Sequence, residues 1–101
     1  MKKIINGRMY DTKTATLIGG AGYGYPSDFE YWRENLYRKK NGEFFLYGEG
    51  GPMSKYSHRT GQNEWSGGEE IIPLTVEEAQ EWAEKYLEVE EYEQIFGKVK
   101  E

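Results

Sequence analysis

The chain has 101 residues and no cysteine, with 13 Lys and Arg against 18 Asp and Glu, and 16% of its side chains are aromatic. That length predicts one domain with a modest core, and the absence of thiols excludes a disulfide scaffold, Cys-based zinc sites and thiol catalysis, which suits a reducing cytoplasm. From Thr75 onward nine Glu stand against three Lys, leaving about +1 for residues 1–74; wholesale binding to a phosphate backbone is therefore not expected, and a basic partner is attracted instead.

In chain order, the apolar run at the N-terminus stops after Ile4-Ile5, so the sequence predicts no signal peptide, and no stretch reaches membrane-spanning length. Ile4-Ile5, Asn6-Gly7 and Arg8-Met9-Tyr10 predict a small hairpin pairing Ile4 with Met9 and Ile5 with Arg8. Asp11 can cap a single helical turn, but the threonines around it make a poor helix and a strand through Thr16-Leu17-Ile18 is the better continuation. Gly19, Gly20, Gly22 and Gly24 follow, interleaved with Tyr23 and Tyr25. A phosphate-cradling loop would need a Gly-Lys-Ser/Thr ending and a helix after it; neither is present, so a bent or bulged strand and a flexible loop is the reading taken. Ser27-Asp28 offers a further cap, and an extended run begins near Trp32.

Asn41-Gly42 then joins two apolar and basic runs. A two-residue turn there pairs Lys40 with Glu43, Lys39 with Phe44, Arg38 with Phe45, Tyr37 with Leu46 and Leu36 with Tyr47, placing Tyr37, Phe44 and Leu46 on a core face and Arg38 and Lys40 on the other. After the glycines at 48, 50 and 51, Pro52 can open one or two helical turns over residues 53–58. Residues 60–68 read as a polar loop carrying Trp65, and Glu69 to Ile72 as a strand that stops at Pro73. Thr75-Val76-Glu77-Glu78 is a capping box. Ala79, Trp82, Ala83, Tyr86 and Leu87 recur at helical spacing, which predicts a helix from Val76 to about Leu87. A break near Glu88-Val89 precedes a short helix with Tyr92, Ile95 and Phe96 inward, ended by Gly97. The expected fold is a single α+β domain over residues 1–101: an antiparallel sheet of about four strands built on β-hairpins, packed by a C-terminal amphipathic helix and a short final one.

The chemistry-bearing residues are sparse. His58 is the one histidine, and Ser54, Ser57 and Glu49 can be grouped with it on paper, but no Gly-x-Ser-x-Gly elbow fixes a triad. One His with no Cys gives no metal site, and no cofactor is called for. Arg38, Lys39, Lys40 and Lys55 interleave with aromatics in the manner of single-strand binders, although solvated edge charges account for them as well. Glu77, Glu81, Glu84, Glu88 and Glu91 follow at steps of four and three, a single acidic stripe if the helix continues, with carboxylates about 5 Å apart along the axis. Such a stripe could occupy a basic nucleic-acid groove on a protein partner. Tyr56 and Trp65, on the aromatic Gly-rich segment 48–68, form the alternative contact surface.

In residues 6–12, 36–51, 71–75 and Glu81-Trp82 the chain resembles a family of small proteins from phages and other mobile elements of bacteria, similar to anti-CRISPR proteins acting on type I-C systems. The resemblance implies a non-enzymatic inhibitor that binds a host CRISPR-Cas effector directly, without saying which subunit; the charge balance adds the expectation of a basic surface on that subunit and no direct nucleic-acid contact, and the lack of cysteine that of the host cytoplasm. The resemblance supplies no catalytic motif. The other reading is a structural or regulatory mobile-element protein that docks through the surface 48–68.

Overall fold

Asn6 and Gly7 both adopt positive φ, 52° and 76°, and fold β1 (Lys2–Ile5) onto β2 (Arg8–Asp11) with Ile4 opposite Met9 and Ile5 opposite Arg8, the expected register. This computed structural model describes every residue from Met1 to Glu101. Asp11 ends the hairpin by accepting the Lys13 N–H on its carboxylate at 2.9 Å, and β3 (Thr16–Tyr23) follows. Gly19, Gly20 and Gly22 belong to that strand, with a bulge between Leu17 and Gly19, while Gly24 bends the chain away after it at φ 74°. β3 pairs with β4 (Trp32–Arg38), β4 with β5 (Phe44–Gly50) and β5 with β8 (Gly68–Leu74), giving a four-stranded antiparallel sheet in the order β3-β4-β5-β8.

The central register differs from expectation by one residue. Gly42 has φ 92° but Asn41 does not take positive φ. Instead Gly42 N–H donates to the Lys39 carbonyl at 2.9 Å and Lys39 N–H to the Glu43 carbonyl at 2.7 Å. That leaves Lys40, Asn41 and Gly42 as a three-residue loop whose last residue supplies the left-handed bulge. The Asn41 side chain favours it by accepting the Glu43 N–H and donating to the Glu43 carboxylate, both at 3.0 Å. Arg38 therefore pairs with Phe44, Tyr37 with Phe45, Leu36 with Leu46 and Asn35 with Tyr47. Tyr37 stacks on Phe45 at 5.2 Å, away from Phe44, and Arg38 lies over the Phe44 ring.

No hydrophobic group is stranded by this register, because both sheet faces are covered. Leu36, Phe44 and Leu46 face α1 (Val76–Tyr86) and α2 (Val89–Phe96) through Ala79, Trp82, Ile95 and Phe96. Phe45 and Ile71 face the β1–β2 hairpin through Tyr10, with Ile5, Ala15 and Tyr37 around them. Trp82 is inward, as its spacing predicted.

Three local expectations are corrected. Where residues 53–58 were expected to make helical turns, residues 51–57 form consecutive tight turns, closed by Ser54 N–H to Gly51 and Ser57 N–H to Ser54, and His58 opens the next strand. The expected polar loop contains a further hairpin, β6 (His58–Gly61) and β7 (Glu64–Ser66), turning at Asn63 with φ 59° and pairing only with itself. β8 also runs through Pro73 to Leu74; it is an edge strand, where the missing N–H is tolerated. With β6–β7 apart from the main sheet, the radius of gyration is 15.0 Å, against about 13 Å for a rounded chain of this length.

The Thr75 capping box is present in both directions, Glu78 N–H to the Thr75 hydroxyl at 3.1 Å and Thr75 N–H to the Glu78 carboxylate at 2.8 Å. Thr75→Ala is expected to lower stability by about 1 kcal/mol, read as a lower urea midpoint at unchanged slope. No helix is long and apolar enough to cross a membrane.

Candidate functional site

The acidic face is built on α1. Glu77, Glu81 and Glu84 are exposed there, on the side away from Ala79, Trp82 and Ala83. α1 stops at Tyr86, with extended backbone at Leu87, so the five-residue stripe is not continuous. Glu88 becomes the residue that opens α2, and its N–H donates to the Glu91 carboxylate at 3.1 Å. Both remain exposed, on a second helix at the corner of the same layer.

None of these carboxylates has a cationic partner. The ion pairs of the chain are Lys2–Asp11 at 3.9 Å, Arg8–Glu43 at 2.6 Å, Lys39–Glu43 at 3.0 Å and Lys55–Glu34 at 2.5 Å. The four ion pairs all lie on the hairpins and the strand layer, and the segment from Thr75 onward keeps nine Glu against three Lys with no ion pair among them. Lys39, held over the Tyr10 ring at 3.6 Å and bound to Glu43, is a packed residue and not a free stacking-groove cation.

Tyr56 is not a surface residue. It is 6% exposed and its hydroxyl donates to Glu34. Trp65, by contrast, is 57% exposed, on β7 opposite Arg59. The aromatic segment is therefore split, its tyrosine in the core and its indole outside. The Ser-His-acid grouping also dissolves: His58 pairs with Ser66 on β6–β7, the Ser54 hydroxyl donates to the Gly51 carbonyl at 2.8 Å, and Glu49 accepts from the Tyr31 hydroxyl at 3.4 Å. No group of three His, Asp or Glu side chains is placed to hold a metal ion.

Sequence reasoning missed Glu34. It stands mid-strand on β4, only 1% exposed, on the face covered by α1. Trp82 Nε1–H donates to its carboxylate at 2.8 Å, the Tyr56 hydroxyl donates to it, and Lys55 Nζ approaches at 2.5 Å. Burial pushes the carboxyl up, but Lys55, Tyr56 and Trp82 together outweigh it and hold the group below its ordinary value of 4.5. The Tyr56 hydroxyl is driven the other way, first by burial and then by the Glu34 carboxylate beside it. Gly48 makes room for this arrangement. It pairs with Glu34 across β4 and β5, and a Cβ there would overlap the Tyr56 ring and hydroxyl.

An ionised carboxylate with three donors, closed over by a helix, ties β4, the 52–57 turns and α1 together. No buried side-chain polar atom is left without a partner. The network is a positioning device for the acidic helix: Trp82 anchors α1 to the sheet, and Glu81 and Glu84 stand on its outward side. The available signal was the spacing Glu34-x-Leu36 in a strand, an acid in step with an apolar core residue.

Compared with family models, characterised proteins and solved structures, the chain matches none.

Proposed function

We propose that the chain is a non-enzymatic inhibitor that acts by binding a bacterial CRISPR-Cas effector subunit, presenting the acidic face of its helical layer to a basic surface that nucleic acid would otherwise occupy. The observation that carries this reading is the absence of any ion pair on Glu77, Glu81, Glu84, Glu88 and Glu91 in a chain that pairs cations elsewhere. The class of target is proposed from the resemblance of residues 6–12, 36–51, 71–75 and Glu81-Trp82 to type I-C anti-CRISPR proteins. Unpaired carboxylates on a rigid helix favour complementary association and raise encounter rates, an effect that salt weakens.

The test reverses Glu81, Glu84 and Glu88 to Lys, leaving Glu77 because an acid in the first turn also stabilises α1; since Glu88 opens α2 in the same way, the Glu81 and Glu84 reversals are also run without it. Inhibition of a reconstituted effector is expected to weaken at least tenfold at low salt, with on-rate lost more than off-rate gained; unchanged inhibition would remove the acidic face as the contact surface.

A second reading has one observation in its favour, the exposed Trp65 on the self-paired hairpin β6–β7. An apolar anchor of that kind binds independently of salt, so binding that survives high salt but fails in Trp65→Ala would transfer the contact there.

A further inference from the structure

The two edges of the main sheet differ. β8 carries Glu69, Glu70 and Pro73, residues of the types that stop an edge strand from recruiting another chain. β3, at the opposite edge, reads Thr-Leu-Ile-Gly-Gly-Ala-Gly-Tyr, with no charge and no proline. Its one guard is the bulge at Leu17 to Gly19, beyond which Gly19 to Tyr23 stay in regular register with β4. The turn, loop and cap hydrogen bonds of the chain involve none of these residues. Their backbone groups that point away from β4 are therefore open, flanked by three glycines and an alanine that leave the approach unobstructed.

Chemistry for a guest lies beside them. Leu87 closes over Gly19, where a Cβ would come within 2.5 Å of Leu87 Cδ2. Glu84 and Glu88, one turn before and one residue after Leu87, are both exposed and neither is ion-paired. A groove of about 420 Å³ opens at this corner between Ala83, Glu84, Leu87, Val89 and Tyr92.

We propose that β3 is a strand-addition site that takes an extended segment of a partner protein in which an apolar residue and a Lys or Arg stand two positions apart, on the face of the strand turned to the helices. Such a guest bonds through its backbone to the open groups of Gly19 to Tyr23, sets an apolar side chain beside Leu87 and brings positive charge to Glu84 and Glu88. A second copy of the chain fits worse: antiparallel β3-to-β3 pairing across a two-fold axis would bring two such acidic corners together. The proposal rests on the reading of the chain as a protein-binding inhibitor and adds the backbone contact that the acidic face lacks.

Amide hydrogen exchange on the full chain tests it, with a blocked octapeptide repeating Val-Thr-Lys-Thr as the probe, which carries Val and Lys on one face, and its Lys-to-Glu form as the Val/Glu control. Amides between Gly19 and Tyr23 are expected to slow at least tenfold with this peptide, and to stay unchanged with its alternately N-methylated form, which cannot bond along the strand, or with a Val/Glu peptide. Tyr23→Lys, at an exposed position, adds the missing guard and is expected to abolish the slowing while leaving exchange in the core as it was. No slowing at β3, equal slowing with the Val/Glu peptide, or slowing that appears without peptide as protein concentration rises would each overturn the proposal. Loss of inhibition on reversing Glu81, Glu84 and Glu88, together with a silent β3, would remove the edge site and keep the parent reading. Peptide protection at β3 with inhibition unaffected by the reversals would do the opposite.

Discussion

Glu34→Ala is expected to lower the unfolding free energy by about 3–5 kcal/mol, the usual cost of removing one member of a buried, hydrogen-bonded charge pair. Three donors lose their acceptor at once: Trp82 Nε1, the Tyr56 hydroxyl and Lys55 Nζ. For a domain of this size the midpoint should fall by about 15–30 °C, measured by circular dichroism. Glu34→Gln keeps the volume and one acceptor and should cost less. It also separates charge from packing, because the folded carboxyl is held below 4.5. A depressed carboxyl stabilises the fold fully above its unfolded pKa, and that contribution drains away as pH falls through the folded value. Urea unfolding between about pH 7 and about pH 3 should show a shallower acid limb in Glu34→Gln than in the parent chain. Identical limbs would mean that the carboxylate contributes nothing as an ion.

Gly48→Ala is the second large effect, and it reaches the same network from the opposite strand. Gly48 does not take positive φ, so an alanine there is resisted by contact alone. The new methyl would overlap the Tyr56 ring and hydroxyl, and behind Tyr56 lies Glu34. Displacing the ring combines overpacking, about 1–3 kcal/mol, with the loss of a charge-assisted hydrogen bond, about 1.5–3 kcal/mol. A total of about 2.5–6 kcal/mol is expected from chemical denaturation. Combining it with Tyr56→Leu should give less than the sum of the two single changes, since the second removes the atoms that the methyl meets. Strict additivity would place the damage elsewhere.

The parts that were legible in the sequence were those with local causes. Asn6-Gly7 set its hairpin through two positive-φ positions no more than four residues from anything it pairs, and Thr75 with Glu78 marked the start of α1 through a bond spanning three residues. The apolar spacing of α1 needed no partner to be seen. The central register was harder, because Asn-Gly serves a two-residue loop and a three-residue loop alike. Alternation could not choose between them: Phe44, Phe45 and Leu46 are all buried, so the strand has no wet face to set its parity. β6–β7 escaped for a related reason, since its short polar strands bury nothing that would leave a pattern.

The site was legible in part. Exposure of Glu77, Glu81 and Glu84 followed from the helical period, whereas Glu34 depends on a tryptophan 48 residues later and a tyrosine 22 residues later. Tyr56 was misassigned to the surface because its glycine-rich neighbours resemble a loop; the missing side chain of one of them, Gly48, is instead what leaves room for its ring and hydroxyl.

That 48-residue reach also sets an order of events when the chain is made from its first residue to its last. β4 and β5 emerge from the ribosome well before α1, so the sheet surface carrying Leu36, Phe44 and Leu46 stays bare while the final quarter is still being synthesised. During that interval Glu34 keeps its water, and an ionised group in the middle of an uncovered apolar surface opposes premature sticking to neighbouring chains. The residue that fastens the finished fold thus begins as a hydrated charge on a bare sheet and is closed over last.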